Sequence, residues 1–154
     1  MTHLDAFLQL GEDVHLGAYL FDAEKIKAFA RKYDPQPFHI DEEAARNSVF
    51  GRLCASGWHT ASVWMKLNLA HGVEGPWHGD SPAPAFGPSP GLRHMKWPKP
   101  VYAGETVRFS RRALSHRPLS SRPGWRVVTQ WSEAFDSAGD KVLEFEGAVL
   151  VNAD

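Results

Sequence analysis

The spacing of apolar and polar residues changes period several times along the chain. Val14 to Phe21 reads as a short first strand. Asp22 then caps a helix in which Ile26, Phe29, Ala30 and Tyr33 recur at helical spacing and form one apolar face. Phe21 and Ile26 stand at the positions of a hydrophobic staple, which fixes how the strand feeds the helix. Pro35 and Pro37 end that helix, because proline disfavours helical geometry in the residue before it and has no backbone N–H to donate. Asp41 is placed to cap a second short helix, with Glu42 and Glu43 in a first turn where the helix dipole favours negative charge. A longer helix follows Ser56 and runs to about His71, with Gly72 as its stop. Trp58, Ala61, Ser62, Met65 and Leu69 lie on one side of it, and Val63, Trp64, Leu67 and Ala70 cover most of the rest. A helix apolar on nearly all sides is expected to be buried on nearly all sides.

The second half supplies what would wrap it. Residues 75–90 form a loop rich in proline and glycine, and strand-like runs follow at 92–97, 105–114, 125–135 and 141–151. The turn between the last two is Asp136-Ser137-Ala138-Gly139-Asp140, and Pro98, Pro100 and Gly104 mark an earlier one. No internal repeat or domain boundary is visible, so residues 1–154 read as one α+β domain. One early strand, a buried central helix and four antiparallel strands curved around it is the order of a hotdog fold. Such a sheet leaves edges and an apolar flank to cover, which predicts a homodimer or higher homo-oligomer.

Composition narrows the classes. At 154 residues and 43% hydrophobic, the chain can bury a proper core. Lys+Arg 17 against Asp+Glu 18 leaves a formal charge of -1 without a basic stripe, which argues against a nucleic-acid partner. The longest apolar run is interrupted by His59, Lys66 and Asn68, so no membrane span is expected, and the N-terminus lacks the order of a signal peptide. The one cysteine, Cys54, forms no internal disulfide and fits a reducing, cytoplasmic location. Cys54 is a nucleophile by residue type, yet it sits in an apolar run that favours the neutral thiol. The histidines are scattered without metal-ligand spacing, so neither a metal nor another cofactor is expected.

The candidate chemistry lies in Asp34-Pro35-Gln36-Pro37-Phe38-His39, followed by Phe50-Gly51-Arg52 and Ala55-Ser56-Gly57-Trp58. A carboxylate and an imidazole five positions apart sit on a loop stiffened by two prolines, and a Ser-Gly pair opens the apolar helix. Two proton-handling groups beside a helix N-terminus combine acid-base chemistry with a donor for an oxyanion. Taken singly, Asp34 is a common turn former and His39 a common structural histidine; their joint spacing with Gly57 favours catalysis. Asp41 reads as a helix cap. Phe38, Phe50, Ser56, Trp58 and Trp77 are candidate substrate contacts, with Trp58 and Trp77 the tryptophans expected to line the pocket. Arg111, Arg112, Arg117, Arg122 and Arg126 read as a solvated face or as a dock for the phosphates of a coenzyme.

The first six of these residues resemble the D-x-N-P-x-H signature of the MaoC-like dehydratases, the (R)-specific enoyl-CoA hydratases. Ala55-Ser56-Gly57 is similar to the family's entry to the central helix, and Trp97-Pro98-Lys99-Pro100-Val101-Tyr102-Ala103-Gly104-Glu105-Thr106 to its K-P-V-x-x-G-D segment. The chain departs at Gln36, where the family has Asn, and at Ser56, where it often has His. The resemblance implies reversible hydration of a trans-2-enoyl-CoA to an (R)-3-hydroxyacyl-CoA. Asp34 and His39 would be the acid-base pair, and the Gly57 amide the oxyanion donor. Two alternatives keep the fold: an acyl-CoA thioesterase and a non-catalytic acyl-thioester-binding protein. Thioesterases of this fold usually carry a carboxylate on the central helix, and residues 57–71 contain no Asp or Glu.

Overall fold

The computed structural model describes residues 2–73 and 75–153. Its elements in chain order are α1 (His3–Phe7), β1 (Val14–Phe21), α2 (Ala23–Tyr33), α3 (Pro37–Ile40), α4 (Glu42–Arg46), α5 (Gly57–His71), β2 (Ala85–Phe86), β3 (Gly91–Lys96), β4 (Glu105–Pro118), β5 (Trp125–Phe135) and β6 (Lys141–Asn152). The sheet runs β1-β4-β5-β6, and the far side of β6 carries both β2 and β3, every pairing antiparallel. The curled sheet and the central α5 make the hotdog architecture expected from the element order.

Local chemistry accounts for the joints. Asp22 accepts the Lys25 amide at 2.8 Å and starts α2; Asp41 accepts the Ala44 amide at 2.8 Å and starts α4. The segment between them contains one further helical turn, α3, with Pro37 at a helix start that needs no amide from it. Helix α1 gives no signal at five residues. It is held by a reciprocal Thr2–Asp5 capping box, and its Leu4 and Phe7 pack with Ala113, Val128 and Val151. Two residues of the proline-rich loop, Ala85 and Phe86, form β2 against Val151 and Asn152.

The main core joins Phe21, Ile26, Val63, Trp64, Val107, Phe109, Ala134, Leu143 and Phe145. The Trp64 ring meets the edge of Phe145 at 4.8 Å and donates to the Ser110 carbonyl at 3.4 Å, which seats α5 on the sheet. Burial of α5 is one-sided. His59, Thr60, Val63 and Trp64 are buried, whereas Trp58, Met65 and Leu69 are exposed. The expected burial on all sides therefore does not hold within one chain, because a single curled sheet covers only one flank of the helix.

His59 fills the seam between α5, α2 and β1. Its ring stacks on Phe29 at 4.6 Å and meets Phe21 and Tyr19 edge-on, and its Nδ1 is buried without a partner. Burial pushes its pKa down to about 4, with a smaller upward contribution from Asp22 and a smaller downward one from Lys25. The native ring is thus neutral where an unfolded histidine becomes charged. Stability from this residue is complete above the unfolded pKa of about 6.5 and is lost as pH falls towards 4, by up to about 3 kcal/mol. Denaturant titrations across that window should show wild type losing this stability relative to His59→Phe. Parallel curves for the two proteins would show that His59 is not the group responsible.

Candidate active site

Asp34 is the C-cap of α2, His39 lies in α3, and the two prolines between them turn the chain so that both side chains face one cavity. His39 is 6% exposed, and its Nε2 stands 3.5 Å from Asp34 Oδ2. Its other ring nitrogen, Nδ1, is 2.6 Å from the Cys54 carbonyl oxygen. A carbonyl only accepts, so Nδ1 carries a hydrogen and donates it. In the neutral ring Nε2 is then the bare nitrogen, and it points at the carboxylate. Asp34 is held in turn, its Oδ1 accepting from Gln36 Nε2 at 2.7 Å.

The Cys54 carbonyl is itself fixed by backbone. Ala55 N–H donates to Val101 O at 2.8 Å, Ala103 N–H to Leu53 O at 3.0 Å, and Cys54 and Tyr102 form an antiparallel bridge between these bonds. Tyr102 also donates its hydroxyl to Phe50 O at 2.9 Å. The Pro-Val-x-x-Gly segment therefore braces the strip that aims His39. The Cys54 thiol lies 3.7 Å from His39 Nδ1, and burial pushes its pKa up to about 11, so it stays protonated and is a poor nucleophile.

The cavity has a volume of about 510 Å³ and is lined by Asp34, Gln36, Phe38, His39, Phe50, Cys54, Gly57, Trp58, Thr60, Trp97, Val101 and Val142, among others. Asp34, His39 and Gly57 are thus brought together, with Phe38, Phe50 and Trp58 around them. Buried Thr60 and Val142 form the inner end, and the exposed rings of Trp58 and Trp97 form the rim. Gly57 opens α5, and among the described residues its amide makes no hydrogen bond. Ser56 is fully buried and accepts the Trp58 amide at 3.3 Å, so it caps the helix and does not line the cavity.

Two further expectations fail on position. Trp77 packs edge-on against Phe7 at 5.7 Å and donates to Ser81 O, in the second core cluster and away from this cavity. The arginines of β4 and β5 do not line it either: Arg111 bonds Asn68 and the Gly72 carbonyl, Arg112 pairs with Asp13, and Arg126 donates to His116. Lys99 does line it, but Asp136 at 2.7 Å and Asp140 at 2.9 Å hold its ammonium and raise its pKa. Sequence reasoning missed Trp97, which approaches Gly57 across 40 positions, and the Cys54 carbonyl, which no side-chain pattern reports. Among the described residues no group of three His, Cys, Asp or Glu could hold a metal ion, and no helix is long and apolar enough to cross a membrane.

Residues 9–118 match the pattern of the MaoC like domain. A crystal structure of the MaoC-like dehydratase from Rhodospirillum rubrum superposes with a TM-score of 0.80 at 34% identity, covering 96% of this chain and 97% of that one. The (R)-hydratase PhaJ1 from Pseudomonas aeruginosa shares the fold, with a TM-score of 0.69 at 18% identity over 94% of this chain and 83% of that one. The uncharacterized protein YdeM of Bacillus subtilis is 29% identical over 128 residues, 83% of this chain and 84% of that protein. With most of its length matched, and the signature residues gathered in one cavity, the chain belongs to the MaoC-like dehydratase family.

Proposed function

We propose that this protein is a hydro-lyase that adds water reversibly to a trans-2-enoyl-CoA, with Asp34 and His39 as its acid-base pair. The observation that carries the reading is the fixed tautomer of His39. With Nδ1–H committed to Cys54 O at 2.6 Å, Nε2 is the ring atom that faces Asp34 Oδ2, 3.5 Å away. A water molecule beside this pair can hydrogen-bond to both atoms at once and keep a lone pair directed into the cavity.

From that position the oxygen attacks C3 of the enoyl thioester. The C2–C3 π pair moves towards the thioester carbonyl, whose oxygen gains negative charge, and in this reading the Gly57 amide, at the positive end of α5, receives it. One proton of the water passes to the pair, and the pair delivers a proton to C2. The C3–O and C2–H bonds form while one O–H and the π bond break, so no redox partner is consumed. Dehydration is the same path reversed. The product's (R) hand is that of the hydratases whose fold the chain shares.

The reading includes a second copy of the chain. Trp58, Met65 and Leu69 leave an apolar flank along α5, and β3 has only β6 as a strand partner among the described residues. These are the helix flank and sheet edge that a two-fold partner would cover.

Loss of the enoyl absorbance of crotonyl-CoA tests the chemistry. Asp34→Asn and His39→Ala should each lower kcat by about 100- to 10,000-fold. Wild-type turnover in both would remove the pair from the mechanism, and free thiol release would favour the thioesterase instead. Gln36→Ala should cost less, on the order of 10-fold in kcat, because it loosens Asp34 without removing it. Light scattering in solution should give at least twice the chain mass; a monomer would refute the second copy.

A further inference from the structure

We propose that Trp97 is a swinging wall of the acyl site, closed over Gly57 in this structure and displaced by the acyl thioester, so that it helps decide which acyl groups are accepted. This rests on reading the cavity as an enoyl-thioester site.

Two observations place the indole. A Cβ built on Gly57 would lie 2.6 Å from Trp97 Cε2, 2.7 Å from Nε1 and 2.8 Å from Cδ2, so the ring occupies the space that the missing side chain leaves. Trp97 Nε1–H also donates to the Gly57 carbonyl at 2.8 Å. The glycine at the head of α5 therefore makes room for an aromatic ring of the same chain, and a substrate approaching over its Cα meets that ring first. Trp97 is also a cavity-lining residue, so its position sets the shape of the space around Gly57.

The ring is lightly held, and the segment that follows it is tied down. Within one chain Trp97 is 39% exposed, and among the described residues its ring contact is the edge of Trp58, itself 58% exposed, at 5.2 Å. Around it, Lys99 is tied to Asp136 and Asp140, and Val101 to Ala103 are bonded to the strip before α5. In this proposal the opening is a change of the Trp97 side-chain rotamer. Breaking one bond to a partly exposed carbonyl is compensated by water, whereas an acyl chain gains apolar contact with the turned ring.

The indole N–H signals of ¹⁵N-tryptophan-labelled protein test this directly, with the Trp97 signal identified by its absence in Trp97→Phe. Butanoyl-CoA, which has no double bond to hydrate, is the probe. It should shift or broaden the Trp97 signal as the bond to Gly57 opens, and leave the Trp77 signal in place. In the hydratase assay, Trp97→Ala should raise the kcat/KM of trans-2-octenoyl-CoA relative to crotonyl-CoA about 10-fold, while Trp97→Phe stays near the wild-type ratio. An unmoved Trp97 signal at millimolar butanoyl-CoA overturns the proposal, as does an unchanged ratio in Trp97→Ala. The spectroscopic arm uses the wild-type protein, so it does not depend on the folding of the alanine variant. A shifted signal in a protein that hydrates no enoyl-CoA would sink the hydratase reading and leave the moving wall.

Discussion

The site depends on a short piece of backbone pairing outside the main sheet. Leu53, Cys54 and Ala55 run antiparallel to Val101, Tyr102 and Ala103, and this strip holds the Cys54 carbonyl under His39. An imidazole in solution distributes its proton between two nitrogens. Here the 2.6 Å contact to a carbonyl assigns it to Nδ1, and the bare Nε2 has only the cavity and Asp34 to face. The carbonyl acceptor fixes where the Nδ1 hydrogen lies and leaves Nε2 turned to Asp34 and the cavity.

The same strip links the two ends of the sequence signature. Asp34 and His39 lie before α4, Gly57 begins α5, and the Pro-Val-x-x-Gly segment lies after β3; only folding puts them around one cavity. Gly104, at φ 91, lets the chain turn so that its amide reaches the Phe21 carbonyl at 2.8 Å and β4 can start beside β1. The turn thus serves the sheet and the site together. Displacing it would move Tyr102, and with it the bridge to Cys54.

Much of this was legible because it is local. Caps at Asp22 and Asp41, the stop before Pro35, and the glycine after His71 are decided by neighbouring residues, and the structure places the elements accordingly, although Pro37, read as a stop, begins α3 instead. What escaped is decided at a distance. Helix α1 is too short to show a period and exists because Leu4 and Phe7 find Val128 and Val151. Trp77 and Trp97 have equal claims on an acyl pocket by residue type, yet one closes a cluster at the N-terminal helix and the other rests on Gly57. The arginines look like a free cationic face in sequence, and the structure ties Arg112 to Asp13 and Arg126 to His116. The Gly57 case is subtler. A glycine opening a helix suggested open access for a thioester, while the structure fills that access with an indole.

Gln36 shows how a departure from the family pattern can be absorbed. Asparagine at this position would end one methylene nearer the backbone. Glutamine reaches two residues back and donates to Asp34 Oδ1 at 2.7 Å, which leaves Oδ2 directed towards His39. The carboxylate and imidazole are then each fixed by one bond, which leaves Asp34 Oδ2 and His39 Nε2 facing each other at the cavity. On the proposed reading the cavity has a stiff end, where proton transfer demands atoms within a few tenths of an ångström, and a yielding end at Trp97, where acyl groups of different size must be admitted. Such a division lets substrate range change through one side chain without disturbing the geometry on which the chemistry rests.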